Sequence, residues 1–213
     1  MATLLADLSS ALADVSDGVT RSLVQVRSSA RGGGAGTIWH ADGLIVTNAH
    51  VVSDSGLHRR GPRRTGRGEI SVILPDGREL PAQVLAEDAE QDLAALRVDA
   101  HDLPAVTLGD SRRLQAGDLV VALGFPWGVT GGATTGVVIG TGDALPELAG
   151  SAREWIAASL HLRPGHSGGP MVDAHGRLVG INTMMNGPDV GVAVPVHVAV
   201  AFLKQVFVDG VRG

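Results

Sequence analysis

Apolar residues recur at helical spacing only near the two ends of the chain. Leu4, Leu5, Leu8, Ala11, Leu12 and Val15 fall on one side of a helix, which predicts an amphipathic helix over 3–16, ended near Asp17-Gly18. Pro195 opens a second such segment, with Val198, Ala201, Phe202, Gln205 and Val206 on one side. Between them the rhythm is that of short strands separated by turn residues such as Asp42-Gly43 and Asp76-Gly77. Strands are expected at 22–28, 36–39, 44–47, 70–74, 80–86 and 93–98, and again at 118–124, 133–140, 154–161, 169–173, 177–183 and 189–194. The polar stretch Pro104 to Gly117 separates the two groups, and Asp173-Ala174-His175-Gly176 reads as a hairpin turn. Closure of each group removes its exposed edges, so the expected fold is all-β, two six-stranded antiparallel barrels with an N-terminal and a C-terminal helix. The expected division is a helix over 1–18, a first barrel over 19–110 and a second barrel with the terminal helix over 111–213.

Composition agrees with this pattern. The chain is 44% hydrophobic, with 30 Gly against 3 Phe, 3 Trp and no Tyr, which suits many tight turns around aliphatic, Val-rich cores. Cysteine is absent, so neither a disulfide framework nor a thiolate metal site can form. The segment Met1 to Leu8 has no basic region, and Asp7 and Asp14 interrupt its apolar character. It does not read as a secretory signal, and no apolar run approaches the roughly 20 residues of a membrane span. The expected location is therefore cytoplasmic as the sequence stands, or the envelope or exterior if an export signal has been removed.

Net charge is −5, yet residues 58–67 carry five arginines and no acid, so the remainder is more acidic than the total implies. Nucleic-acid binders spread positive charge over a face, whereas here it is confined to one segment that reads as a solvated insertion. Gly32-Gly33-Gly34-Ala35-Gly36 contains neither GxxxxGK nor a helix start, so it is expected to be a turn and not a phosphate cradle.

The candidate chemistry lies in Gly165-His166-Ser167-Gly168-Gly169-Pro170. A serine in a glycine-rich turn can stand clear while neighbouring amides converge on one point, the geometry a nucleophile and its oxyanion need. A hydroxyl is a weak nucleophile at neutral pH, so a histidine base and an orienting carboxylate are required. His50, in Thr47-Asn48-Ala49-His50-Val51-Val52, follows the apolar run Leu44 to Val46. Asp92 opens the strand Leu93 to Val98, with Asp88 and Glu90 as nearby rivals. His40, His58, His101, His161, His175 and His197 show no paired metal spacing, and neither metal nor cofactor is expected.

The order His50, Asp92, Ser167 and the motifs around these residues resemble the trypsin-like serine proteases, and within them the HtrA/Deg branch. Asp76-Gly77-Arg78, Gly124-Phe125-Pro126-Trp127-Gly128 and Gly180-Ile181-Asn182-Thr183 fall in the same order as in that branch, so the resemblance covers roughly residues 20–203. It implies a serine endopeptidase acting on unfolded or extended polypeptides, with Ser167 as nucleophile, His50 as base and Asp92 as its orienting acid. It further implies an oxyanion hole from the amides of Gly165, His166 and Ser167. Leu162 and Met185 would line a pocket for aliphatic side chains, and Thr183, Met184 and Met185 would pair with substrate backbone. Relatives commonly continue into a PDZ domain, for which these residues leave no room. They often form trimers through aromatic-bearing N-terminal residues, whereas residues 1–21 contain no aromatic, so monomer and homotrimer both stay open.

Two positions depart from the branch. His166 stands where HtrA relatives have asparagine and digestive trypsins an aspartate that receives a new N-terminal ammonium; a histidine does not offer that carboxylate. Arg163 replaces another common asparagine, adding charge beside the cleft. Two other readings stay open: a non-enzymatic peptide-binding or chaperone module whose oxyanion loop is collapsed, and nucleic-acid contact through residues 58–67.

Overall fold

The computed structural model describes residues 2–28, 32–53, 69–142 and 153–209. The arginine-rich segment 58–67 lies outside them. Helix α1 (Ala2–Thr20) leads into two closed antiparallel barrels. The first, in spatial order β1-β2-β3-β6-β5-β4, is built from β1 (Leu23–Ser28), β2 (Gly32–His40), β3 (Leu44–Thr47), β4 (Ile70–Ile73), β5 (Glu79–Asp88) and β6 (Leu93–Val98). A one-turn helix α2 (Ala49–Val52) follows β3.

The second barrel, in order β10-β11-β12-β9-β8-β7, uses β7 (Leu119–Gly124), β8 (Gly132–Gly142), β9 (Trp155–Ala158), β10 (Pro170–Asp173), β11 (Leu178–Met185) and β12 (Gly191–Pro195). Helix α3 (Val196–Asp209) closes the described chain. The expected double barrel with a helix at either end is therefore present.

Each barrel is filled by the aliphatic residues its alternation placed inside. Val24, Val26, Ile38, Ile45, Val72 and Leu96 fill the first, and Val120, Val138, Ile156, Leu160, Met171 and Val179 the second. A third cluster joins Leu44 and Val46 to Leu178, Ile181, Phe202 and Leu203, so the barrels and α3 share apolar contact. That shared cluster helps fix one barrel against the other, which a site divided between them requires.

Three local expectations change. The glycine run 32–36 is not a turn but the first half of β2, paired with β1 from Ser28↔Gly32 to Val24↔Gly36. A Cβ at Gly33 would lie 2.3 Å from the Val26 carbonyl oxygen, so the strand approaches its neighbour more closely than any side chain permits. Helix α1 runs past Gly18 to Thr20, with the Thr20 hydroxyl on the Ser16 carbonyl. Only its later residues Leu12, Val15 and Val19 pack on the barrels, while Leu4 and Leu5 are about two-thirds exposed at 72% and 67%. The 104–117 segment is no free linker: Val106 N–H donates to the Ile38 carbonyl, Gly109 N–H to the Leu178 carbonyl, and Leu178 N–H to the Thr107 carbonyl.

Candidate active site

His50 is the second residue of α2, where the end of β3 turns outward, and its side chain is about half exposed. Asp92 sits just before β6 at φ +54, a left-handed conformation that costs a non-glycine residue about 1 kcal/mol or more. That conformation turns its carboxylate toward α2. Asp92 Oδ1 accepts the His50 backbone N–H at 3.0 Å, and Oδ2 lies 2.8 Å from His50 Nδ1. The bare carboxylate only accepts, so Nδ1 carries the proton and Nε2 is left with its lone pair free to act as a base.

Two further residues hold Asp92. Buried Asn48 donates its side-chain N–H to the Asp92 carbonyl at 2.9 Å, and the Thr183 hydroxyl donates to Asp92 Oδ2. Burial pushes the Asp92 carboxyl upward, but the His50 hydrogen bond and charge and the Thr183 hydroxyl together outweigh it and hold the group below the usual carboxylate range. The sequence suggested Thr183 only as a substrate-pairing residue and did not single out Asn48. Their neighbours in sequence carry no sign of a partner that arrives 91 or 44 residues away.

Ser167 belongs to the turn before β10. Its hydroxyl donates to the Thr183 carbonyl at 3.0 Å, so Thr183 touches the acid with its side chain and the serine with its backbone. The Ser167 carbonyl accepts Ala35 N–H at 2.8 Å, which ties the serine turn of the second barrel to β2 of the first. Gly34, one residue earlier, is required by this approach: a Cβ there would lie 2.8 Å from the Ser167 oxygen.

Arg163 to His166 forms a tight turn in which His166 N–H donates to the Arg163 carbonyl at 3.0 Å. Pro164 and Gly165, the latter at φ +105, occupy its two central positions in the type II manner. The amide of His166, expected from the sequence among the oxyanion donors, is thus used to close the turn. Among the described residues, neither the Gly165 nor the Ser167 amide makes a hydrogen bond to a protein acceptor. The turn is seated on β7 and its exit: Phe125 N–H donates to the Gly165 carbonyl at 2.9 Å, and a Cβ on Gly165 would lie 2.3 Å from the Phe125 oxygen. The Arg163 guanidinium stacks over the exposed Trp127 ring at 4.7 Å, a cation–π contact at the rim.

Leu162, one residue before Arg163, meets Met185 at the end of β11. Leu162 is buried in the second barrel, its N–H on Met185 Sδ at 3.1 Å; Met185 is half-buried against it and Met184 is exposed.

Two barrels, with a histidine–aspartate pair on one and a serine turn on the other, are the layout of the chymotrypsin-fold serine peptidases. The profile of the trypsin-like peptidase domain matches residues 34–181, and the chain belongs to that family. Among curated relatives, a protein of Halomonas elongata named "Probable periplasmic serine endoprotease DegP-like" is 37% identical over 83% of this chain and 35% of its own length. "Putative serine protease HhoB" of Synechocystis is 32% identical over 84% of this chain and 41% of its own. The chain spans about a third of the length of the DegP-like relatives it matches. Of solved structures, "HtrA-type protease AlgW with tripeptide" superimposes with a TM-score of 0.78 at 31% identity, covering 93% of this chain and 64% of that one. The chain is thus a trypsin-like peptidase domain, similar in fold to HtrA-type proteases.

Proposed function

We propose that this domain hydrolyses peptide bonds in extended or unfolded polypeptides through an acyl-enzyme. Ser167 Oγ attacks the carbonyl carbon while His50 Nε2 takes its proton, and Asp92 stabilises the imidazolium that forms. The oxyanion is met by the amides of Gly165 and Ser167. His50 then gives its proton to the departing amine, and water attacks the ester by the same route to restore Ser167. The observation that carries this reading is the paired His50 and Asp92 beside a serine turn with two uncommitted amides. In the resting geometry the Ser167 hydroxyl is on the Thr183 carbonyl, so it rotates toward His50 before attack. That same contact favours the non-enzymatic, peptide-binding reading, which the activity test separates.

Met184 and Met185 at the end of β11 offer backbone to an extended substrate, and Leu162 with Met185 an aliphatic wall beside it. A substrate must present several unpaired residues in a row to use such an edge. Casein should accordingly be cut by the purified domain between pH 7 and 9, whereas a tightly folded protein of similar size should survive until it is denatured. Absence of cleavage in both would leave the peptide-binding module.

The relatives' printed description as periplasmic supports an envelope location for the parent protein of this domain. No helix among the described residues is long and apolar enough to cross a membrane. The exposed Leu4, Leu5 and Leu8 along α1 favour a homotrimer, or a smaller assembly, over a monomer.

A further inference from the structure

The His166 side chain folds back beneath its own turn. Its Nδ1 lies 3.0 Å from the Arg163 nitrogen and 3.1 Å from the Arg163 oxygen. An amide N–H can only donate, so the contact to the Arg163 nitrogen requires a bare Nδ1, and the neutral ring then carries its proton on Nε2. The residue is buried, and Nε2 makes no hydrogen bond of good geometry, although the Gly132 backbone is near enough to favour a protonated ring. The backbone of the turn is packed hard on β7: a Cβ on Gly124 would lie 2.6 Å from the His166 Cα and 2.5 Å from the Gly165 oxygen. The ring is a built part of the turn, with one acceptor serving one amide.

We propose that His166 is a positioning residue, whose Nε2–H form braces the Arg163–His166 turn so that the Gly165 amide stays aimed into the cleft, and that a proton on Nδ1 releases this brace. The proposal rests on the serine peptidase reading. Once Nδ1 is protonated it can no longer accept from Arg163 N–H, which loses its partner inside the protein. The new N–H has only the Arg163 carbonyl to donate to, and that oxygen already accepts the His166 amide at 3.0 Å. The turn's two ends are then pulled into a different balance, and Gly165 lies between them.

The charged surroundings oppose protonation. The Arg163 guanidinium, held on Trp127, is the charge on the turn itself. The segment Leu123 to Ala133 packed against it contains no ionisable residue. The remaining ionisable pair of the cleft, His50 and Asp92, belongs to the first barrel. Burial holds the His166 ring below the ordinary histidine range, and Arg163's charge adds to this against the smaller pull of the Arg163 and Gly132 backbones. The brace therefore persists through the ordinary histidine range and is lost only as pH falls through the lower value that holds in the folded protein.

The test joins kinetics to a tautomer measurement. For the wild-type domain, log kcat on a peptide substrate should fall on the acid side with a limiting slope of two, because the proton on His166 adds to the one that silences the catalytic base. His166→Asn, whose side-chain oxygen accepts at every pH, should keep slope one throughout. Nitrogen-15 NMR of labelled wild-type protein at pH 7.5, with the His166 signals identified by their loss in His166→Asn, should show the Nε2–H tautomer. A wild-type limb of slope one, or an Nδ1–H or doubly protonated ring at that pH, overturns the proposal. The NMR result stands even if the variant does not fold. An inactive domain whose ring is still the Nε2–H tautomer would count against the peptidase reading and leave the brace in place. An active domain with the opposite tautomer would remove the brace alone.

Discussion

Ser167→Ala is expected to lower kcat by about 10⁵- to 10⁶-fold while leaving the double barrel folded, the size of loss that removal of a serine nucleophile produces elsewhere. The hydroxyl makes one hydrogen bond in the resting protein, to the Thr183 carbonyl, and such a bond contributes roughly 1 kcal/mol. Thermal unfolding should therefore shift by only a few degrees. Steady-state kinetics on a chromogenic peptide and a melting curve, run on the same preparation, separate the two effects. Residual turnover above a hundredth of wild type would place the nucleophile elsewhere.

Asp92→Asn comes next in size. Three donors converge on the carboxylate: the His50 backbone N–H, the His50 Nδ1–H and the Thr183 hydroxyl. An amide replaces one accepting oxygen with a donor, so at least one of the three loses its partner. If that one is Nδ1, the favoured histidine tautomer reverses and Nε2 ceases to be a base. The expected loss is about 10⁴-fold in kcat, with KM changed far less, since Asp92 orients the base and does not bind substrate. The variant should also lose a pH-dependent contribution to stability. The native carboxyl is held below its usual range, so its stabilisation is full above that range and fades as pH falls through it; the amide variant lacks this dependence. Equal kcat in the two proteins would mean that another group orients His50.

What was readable in the sequence divides along physical lines. Strands such as β1, β3 and β6 announce themselves because runs of Val, Leu and Ile fill the barrel interior. Gly32 to Gly36 carries no such pattern: its strand state comes from how closely β1 approaches, a property of the pair rather than of the segment. Gly18 reads as a helix stop, yet α1 continues because no left-handed turn is imposed there and Val19 has the barrels to pack on.

The same division holds at the site. Ser167, His50 and Asp92 stand in local motifs, and the fold brings His50 and Asp92 into contact and Ser167 beside Thr183. Thr183 and Asn48 act only once the barrels close, so no local pattern marks their grip on Asp92. His166 was visible as a departure, but its folding back onto Arg163 belongs to a turn that can sit on β7 only because Gly124 lacks a side chain. The left-handed φ of Asp92 is likewise a tertiary result, strain held by the partners that surround it.

The most direct test of Ser167 as a nucleophile activated by His50 is covalent capture. A fluorophosphonate probe, followed by intact mass and peptide mapping, should place one adduct per chain on Ser167, with none in Ser167→Ala and much slower labelling in His50→Ala. An adduct on any other residue, or cleavage of casein by a domain that the probe does not label, would contradict the account.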